Sequence, residues 1–264
     1  MAAAINTVFA GYDKVILAVL HFFSRFLGFI LTPLAKLMTL LGEGGVIFFA
    51  LAVVLACFSK TRKTAVCLFG SVCCGALITN IILKDLVARP RPFDAVPLFR
   101  EWWMAVGAPA EDSFSFPSGH VTSAAAGMTA LCRAKGKKYV KPTVIVVLVM
   151  MVCRNYLMVH YPSDTLFGAI IGVASAFIAW EITKLIYRFM EEYEDNPFCD
   201  FALHFDLPLP ALAGIFDKLD KPEKAEAEKN VQANGREQKK KSGINSAELL
   251  RSLGIRRKKG KHQL

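Results

Sequence analysis

The sequence predicts an all-α membrane protein, a bundle of six transmembrane helices followed by a basic tail. The 264 residues are 54% hydrophobic, and their mean hydropathy is +0.39. The apolar residues are gathered in long blocks. The net charge of +10 is concentrated near the C-terminal end. The six blocks comprise residues 15–41, 46–58, 64–83, 121–132, 144–159 and 165–187.

The lengths of these blocks support six spans. A helix that crosses a bilayer takes about 20 mostly apolar residues, with a range of roughly 17–25. The first, third and sixth blocks meet that length, and the fifth nearly does. The second and fourth need flanking residues, such as the tight turn at Gly42–Gly45 or the segment Pro117–His120. A large soluble helical core is the alternative, and the block lengths favour the membrane.

Lysine and arginine residues predict the orientation of the bundle. Short loops rich in these residues stay in the cytoplasm. The loops at 59–63 and 133–141 and the tail are basic and lie on one side of a six-helix bundle. Both termini of this cell-membrane protein are therefore expected in the cytoplasm. The opposite face carries cations against the rule, which suggests a function that needs them there: Lys84, Arg89, Arg91, Arg100 and Arg154.

The segment Phe116-Pro117-Ser118-Gly119-His120 precedes a run of small and apolar residues. Proline cannot continue a helix, and Ser118 is a good N-cap, so a helix is predicted to begin here. The first turn of a helix leaves N–H groups unpartnered at the positive end of the macrodipole. Gly119 allows a ligand to approach them, and His120 adds an imidazole that titrates near neutrality. The segment predicts an oxyanion site beside an acid/base residue.

Two further stretches fall on the same face of the predicted bundle. Lys84 and Arg91 are seven residues apart, which places them on one face of a continuing helix. Arg154 is followed by His160 six residues later, and Asp164 follows four residues after His160. The carboxylates Glu111 and Asp112 are expected to lie on a solvated loop between these stretches.

These residue types suit phosphoryl transfer. The transferring group spreads negative charge over its oxygens, so catalysis consists mostly of positioning and charge stabilisation. Lys84, Arg91 and Arg154 can supply positive charge, and the guanidinium groups bind two oxygens each. Of two histidines, one can attack phosphorus while the other protonates the departing oxygen. Asp164 can orient His160 through the other ring nitrogen.

Three motifs of this chain resemble the signature motifs of the type 2 phosphatidic acid phosphatase superfamily: Lys84-x6-Arg91-Pro92, Pro117-Ser118-Gly119-His120 and Cys153-Arg154-x5-His160-x3-Asp164. The resemblance spans roughly residues 10 to 190. The departure is Cys153, where the family usually has serine. Because a thiol donates hydrogen bonds only weakly, we expect reduced activity from this replacement.

The resemblance implies a role for each of these residues. It makes His160 the nucleophile that becomes phosphohistidine, Asp164 its orienting group and His120 the acid for the leaving group. Family members of this shape act on lipid phosphates or polyprenyl diphosphates without a metal. No cofactor or metal is therefore expected, and the seven cysteines show no metal-ligand spacing. The phosphate-binding residues implied are Lys84, Arg91, Ser118, Gly119 and Arg154.

The composition divides the chain into three parts. Residues 1–190 form the predicted transmembrane phosphatase domain, 191–217 is a candidate membrane-surface segment, and 218–264 is expected to be a largely disordered cytoplasmic tail. From residue 236 onward there are ten Lys/Arg and two Asp/Glu, a net charge of +8. Such a tail is expected to bind anionic lipids, at about 1 kcal/mol per basic residue. Nucleic-acid binding is not expected, since no aromatic interleaving accompanies the charge.

Three functions remain open on the sequence alone. The first is a membrane phosphatase that hydrolyses an amphiphilic phosphate ester or diphosphate at the outer leaflet. The second is a phosphotransferase that uses the same site and passes the phosphoryl group to a lipid or sugar acceptor. The third is a catalytically silent membrane scaffold that acts through its basic tail.

Overall fold

The computed structural model describes residues 1–207, a stretch that is helical and has no β-strand. The prediction of an all-α protein is confirmed for these residues. A short turn of 3₁₀-helix at Glu43–Gly45 joins the first two helices, and α3 continues as a π-helical stretch at Leu77–Leu83. The α-helices of this part of the chain are α1 (Ala2–Gly42), α2 (Val46–Ala56), α3 (Ser59–Ala76), α4 (Lys84–Val87), α5 (Pro92–Ala95), α6 (Pro97–Ala105), α7 (Gly119–Lys135), α8 (Val140–Tyr156), α9 (Pro162–Glu192) and α10 (Pro197–His204).

Four helical stretches within residues 1–207 are long and apolar enough to cross a membrane, so the chain is a membrane protein with several candidate spans. The first combines the first two predicted helices, and α7, at 17 residues, is not among the four. The count of six spans therefore stays a prediction. The four stretches are Ala2–Ala56, Ser59–Ala95, Lys137–Tyr156 and Pro162–Glu192.

The centre of the bundle is the contact between α7 and α9. A Cβ atom at Gly172 of α9 would lie 2.4 Å from the backbone oxygen of Thr122 and 2.7 Å from the Cβ of Ala125. A Cβ at Gly168 would lie 2.7 Å from the Ser118 carbonyl. Glycine at these positions allows the two backbones to approach closely. The first turn of α7 is thereby held against the start of α9.

Helix α1 and the 3₁₀ turn that follows it contact the start of α9 through Asp13 and the start of α7 through Glu43. Asp13 accepts a hydrogen bond from the Ser163 backbone N–H at 2.8 Å, and Glu43 contacts His120 at 3.2 Å. A straight helix would separate residues 13 and 43 by roughly 45 Å. Their partners are closer together than that, because the Ser118 N–H donates to the Asp164 carbonyl at 3.1 Å. Helix α1 therefore bends, and it contains Pro33, which removes one helical hydrogen bond.

The described part of segment 191–217 returns to the turn between α2 and α3. The Leu207 N–H donates to the Cys57 carbonyl at 3.0 Å, and the Ser59 hydroxyl donates to Asp206 at 2.8 Å. The predicted disordered tail at 218–264 lies outside the described residues. So do residues 208–217 of the candidate membrane-surface segment.

Candidate active site

Ser118 occupies the N-cap position of α7, as predicted, but its hydroxyl does not cap the helix. Its Oγ is buried and has no hydrogen-bond partner among the described residues. The Ser118 N–H is bound to the Asp164 carbonyl. Gly119 begins the helix, and a Cβ there would lie 3.1 Å from the Asn80 side-chain oxygen. The Ser118 hydroxyl is thus one unpartnered buried donor at this turn, and the Asn80 side chain lies beside Gly119.

His160 lies in the segment between α8 and α9 and is 2% exposed. Its Nδ1 is 2.7 Å from the backbone carbonyl of Ser115. Because a carbonyl oxygen only accepts hydrogen bonds, Nδ1 carries the proton and Nε2 carries the lone pair. Burial lowers the pKa of His160 well below its usual value, and the charges of Arg91 and Arg154 lower it further. The ring is therefore neutral, with a fixed tautomer.

Asp164 contacts the segment 157–161, which carries His160, and the segment before α7. One carboxylate oxygen is 3.7 Å from Nδ1 of His160, which is farther than the Ser115 carbonyl. The same carboxylate accepts hydrogen bonds from the Ser115 hydroxyl and, at 2.9 Å, from the Tyr161 N–H. Asp164 thus holds Ser115, whose carbonyl binds His160, and its predicted orienting role stays a prediction.

Arg89 contacts different partners from Arg91, the arginine named in the same motif. Its guanidinium donates to Asp164 at 2.5 Å, to Ser163 at 2.8 Å and to Asp13 at 2.9 Å. It also lies over the ring of Tyr161, 3.9 Å from the centroid. Arg89 is 1% exposed, and it is buried between α1 and the start of α9. Asp13 was not predicted to belong to this cluster, because nothing in its local sequence pattern marks it.

The three predicted phosphate-binding cations come together around one loop. Lys84 donates to the Ser113 hydroxyl at 2.9 Å, and Arg91 donates to the Ser113 carbonyl at 2.7 Å. Arg91 and Arg154 both bind the carboxylate of Glu111, Arg91 at 2.8 Å. The expectation that Glu111 lies on a solvated loop is wrong, because its side chain is 18% exposed and is drawn between two guanidinium groups.

The charge of Glu111 is strongly stabilised. Burial would raise the pKa of this carboxyl, but the adjacent Arg154 and Arg91 outweigh that effect and lower the pKa to about 2. Glu111 is therefore an anion at any physiological pH. Asp112 beside it lines a cavity that Lys84 and Arg91 also line.

His120 lies on the first turn of α7 with its Nε2 3.2 Å from the Glu43 carboxylate. Burial lowers the pKa of His120, and Arg154 lowers it further, to about 4, although Glu43 acts to raise it. Glu43 reaches this position because Gly44 and Gly45 adopt φ values of 54° and 71°, which only glycine accepts readily. The sequence predicted the turn, but not that it carries a partner for His120.

A cavity of about 410 Å³ is lined by two of the three predicted phosphate-binding cations, Lys84 and Arg91, and Arg154 is not among its lining residues. Two buried side-chain atoms of predicted phosphate-binding residues, Ser118 Oγ and Arg154 Nε, lack partners among residues 1–207. Buried polar groups are nearly always hydrogen-bonded, so these two donors are available to a ligand. The cavity is lined by Asn80, Lys84, Asp85, Pro90, Arg91, Asp94, Glu111, Asp112, Ser113 and Phe114.

Comparison with known families agrees with the motif analysis. Residues 64–188 match the family described as the PAP2 superfamily. This segment contains all three motifs, so the predicted resemblance to the type 2 phosphatidic acid phosphatase superfamily is confirmed.

Several curated proteins are similar to parts of the chain. Phosphatidylglycerophosphatase B of Bacillus subtilis is 32% identical over 126 residues, which cover 44% of this chain and 56% of that protein. Decaprenylphosphoryl-5-phosphoribose phosphatase of Mycobacterium tuberculosis is 34% identical over 101 residues, 37% of this chain and 51% of that protein. Undecaprenyl-diphosphatase of Sulfolobus acidocaldarius is 26% identical over 155 residues, which cover 58% of this chain and 72% of that protein. The chain thus spans about half the length of the first two relatives.

A solved structure has the same fold. It is the crystal structure of a transmembrane PAP2 type phosphatidylglycerolphosphate phosphatase from Bacillus subtilis, with a TM-score of 0.53 and 24% identity. The similarity covers 71% of this chain and 92% of the other.

Proposed function

We propose that this PAP2-superfamily membrane protein is a phosphatase that hydrolyses a lipid phosphate monoester, or a polyprenyl or lipid diphosphate, through a phosphohistidine intermediate. One observation carries the proposal. His160 donates its Nδ1–H to the Ser115 carbonyl at 2.7 Å and so keeps the Nε2 lone pair available. Arg91 and Arg154, joined by Glu111, lie close enough to lower the pKa of this histidine.

In the first step, Nε2 of His160 attacks phosphorus. A nitrogen–phosphorus bond forms while the bond from phosphorus to the leaving oxygen breaks. Lys84, Arg91 and Arg154 stabilise the negative charge on the equatorial oxygens, and the Ser118 hydroxyl donates a further hydrogen bond. The Ser115 carbonyl and the carboxylate of Asp164 stabilise the positive charge that develops on the His160 ring.

His120 transfers protons in both steps. It first donates a proton to the leaving oxygen and becomes neutral. It then accepts a proton from the water that attacks phosphohistidine, and the nitrogen–phosphorus bond breaks to release phosphate. The negative charges of a bound phosphate would oppose that of Arg154 and raise the pKa of His120 from about 4, which favours its protonated form in the complex with substrate.

The family resemblance implies a reaction without a metal ion. Arg91 and Arg154 lie on the two sides of the Glu111 carboxylate, and these buried arginines attract phosphate. We therefore expect activity in the presence of a chelator.

The names of the similar proteins suggest the substrate class. They include phosphatases of phosphatidylglycerophosphate, decaprenylphosphoryl-5-phosphoribose and undecaprenyl diphosphate. An amphiphilic phosphate is thus the proposed substrate. The distribution of basic loops supports cytoplasmic termini, with the active site on the extracytoplasmic face.

The decisive test is phosphate release by the purified full chain in detergent with a chelator. The substrates are phosphatidate, phosphatidylglycerol phosphate, a polyprenyl diphosphate and a sphingoid phosphate. His160→Ala should abolish release, because no other group supplies the attacking lone pair. His204→Ala is the matched control, since His204 is exposed on α10 and pairs only with Glu194 and Asp200 among the described residues.

Three outcomes would contradict parts of the proposal. Equal activity of His160→Ala and the unchanged chain would exclude the phosphohistidine step. Loss of activity on chelation would exclude metal independence. Transfer of labelled phosphate to added acceptor alcohols in preference to water would identify a phosphotransferase.

A further inference from the structure

Asn80 is a polar residue in the helical segment that leads to Lys84, the first residue of the first motif. It lies in the π-helical stretch Leu77–Leu83, where the Lys84 N–H binds the carbonyl of Thr79, five residues earlier. π-helical turns are rare, and they occur frequently at functional sites. The side chains of this turn are therefore candidates for contact with the substrate.

The neighbouring side chains of Thr79 and Asn80 have different surroundings. Thr79 is buried, and its hydroxyl donates to the Gly75 carbonyl at 2.8 Å. Asn80 is exposed and lines the cavity of about 410 Å³ together with Lys84 and Arg91. Its amide makes no hydrogen bond to any residue within 1–207. Because polar residues of membrane helices usually hydrogen-bond across helices, an amide that faces a cavity instead is available to a ligand.

The Asn80 side chain lies against the first residue of α7. The three heavy atoms nearest to a Cβ built on Gly119 all belong to Asn80, with Oδ1 at 3.1 Å and both Cγ and Nδ2 at 3.8 Å. Gly119 follows Ser118, whose buried hydroxyl has no partner among the described residues. The first turn of a helix also leaves backbone N–H groups without helical partners. The amide of Asn80 is thus next to donors that the proposed mechanism assigns to phosphate.

This position connects two parts of the site. The residues that line the cavity include Lys84 and Arg91, and none of them belongs to α7. The contact with Gly119 places Asn80 at the boundary between the cavity and the first turn of α7. Lys84 is one helical turn from Asn80 along the chain. A phosphoryl group that contacts both Lys84 and this turn is therefore adjacent to the Asn80 amide.

We propose that Asn80 is a further substrate-binding residue, whose side-chain amide donates a hydrogen bond to an oxygen of the transferred phosphoryl group. This inference rests on the proposed phosphatase function and deepens it. An asparagine amide has two N–H donors and carries no charge. It can therefore bind a phosphate oxygen without a change in its own protonation. Hydrogen bonds to an ionised acceptor are stronger than those between neutral groups, so the loss of this donor is measurable.

The test replaces the amide by an apolar group of similar size. Asn80→Leu removes both N–H donors, and leucine is well accommodated in membrane helices. Inorganic phosphate should bind about 10- to 100-fold more weakly to this variant, the usual effect of losing a hydrogen bond to a charged group. Calorimetry on the purified full chain in detergent measures this affinity without turnover. Values of kcat/KM should fall by a similar factor for phosphatidate and for a polyprenyl diphosphate, because both transfer a phosphoryl group.

A second variant, Asn80→Asp, separates contact with phosphate from a role in packing. An ionised carboxylate has the shape of the amide, but it only accepts hydrogen bonds and it repels phosphate. Phosphate affinity should therefore fall further than in Asn80→Leu. The unfolding temperature should change little, because the Asn80 amide has no hydrogen bond within residues 1–207 to lose.

Asn196→Asp is the matched control for the added charge. Asn196 is the N-cap of α10 and accepts a hydrogen bond from the Phe198 N–H at 2.9 Å. Aspartate is an equally good N-cap, so the control keeps this contact. Its affinity for phosphate and its activity should equal those of the unchanged chain.

Two results would overturn the inference: unchanged affinity for inorganic phosphate in the folded Asn80 variants, or an equal loss of affinity in Asn196→Asp. If phosphate affinity were unchanged while turnover of the lipids fell, the amide would contact the leaving group instead. Failure of the proposed function is seen separately, as absent phosphate release by the unchanged chain. If the unchanged chain releases phosphate and the Asn80 variants bind it equally well, the role of Asn80 alone is wrong.

Discussion

At the scale of single residues, the neutral state of His160 depends on a backbone atom. The Ser115 carbonyl lies 2.7 Å from Nδ1, whereas the Asp164 carboxylate lies at 3.7 Å. The spacing along the chain predicted that Asp164 lies near His160, because residues four apart at the start of a helix are neighbours. It could not reveal Ser115, whose contribution comes from a carbonyl that every residue type possesses.

The same scale predicts the pH dependence of His120. Glu43 raises the pKa of His120 against burial and Arg154, so Glu43→Gln should lower this pKa further. The general acid must be protonated, and it loses its proton as pH rises through its pKa. The alkaline limb of the kcat–pH profile should therefore move to lower pH by about one unit. This is the lower end of the range of pKa shifts caused by a nearby opposite charge, because Glu43 is exposed.

Glu101→Gln is the control for this prediction, since Glu101 is an exposed glutamate on α6. Its profile should superimpose on that of the unchanged chain. An alkaline limb that stays in place, or moves upward, in Glu43→Gln would show that the contact with His120 does not matter in the enzyme–substrate complex.

At the scale of helices, the close approach of α7 and α9 positions the phosphate-binding turn. Gly172→Ala should destabilise the fold by about 1–3 kcal/mol, because the added Cβ would overlap the Thr122 carbonyl. Activity should fall as well, since relief of the overlap shifts the helix that begins at Gly119. Unfolding in mixed detergent micelles and phosphate release measure the two effects.

Gly11→Ala is the matched substitution, because a Cβ at Gly11 of α1 meets no atom within 4 Å. Alanine has the higher helix propensity, so this variant should be as stable as the unchanged chain or more stable by about 0.5–1 kcal/mol. Equal behaviour of the two variants would mean that helix separation does not limit stability at Gly172.

At the scale of the whole molecule, a series of buried ion pairs connects α1 to the start of α9. Asp13 binds Arg89 at 2.9 Å and both the N–H and the hydroxyl of Ser163 at 2.8 Å, and Arg89 binds Asp164. Asp13→Asn leaves Arg89 with one charged partner fewer in a buried position. We expect a loss of about 3–5 kcal/mol in the free energy of unfolding, as for other broken buried ion pairs.

The surface pair Asp94–Arg100 provides the comparison. Its side chains are 52% and 57% exposed, and their charged atoms are 3.4 Å apart. Exposed pairs contribute about 0–1 kcal/mol, so Asp94→Asn should have little effect. Equal losses in the free energy of unfolding for Asp13→Asn and Asp94→Asn would contradict a larger contribution from the buried pair between Asp13 and Arg89.

The membrane class, the helical fold and the three motifs were predictable from the chain, because apolar block length and residue spacing are local properties. The spacing also marked His120, His160 and the three cations as members of one site. The partners of these groups emerge from the packing of distant segments. Asp13, Glu43 and Glu111 lie 150, 77 and 43 residues from Ser163, His120 and Arg154. Asp13 and Glu111 look solvated in the sequence until packing buries them beside arginines, and that packing depends on helices distant in sequence.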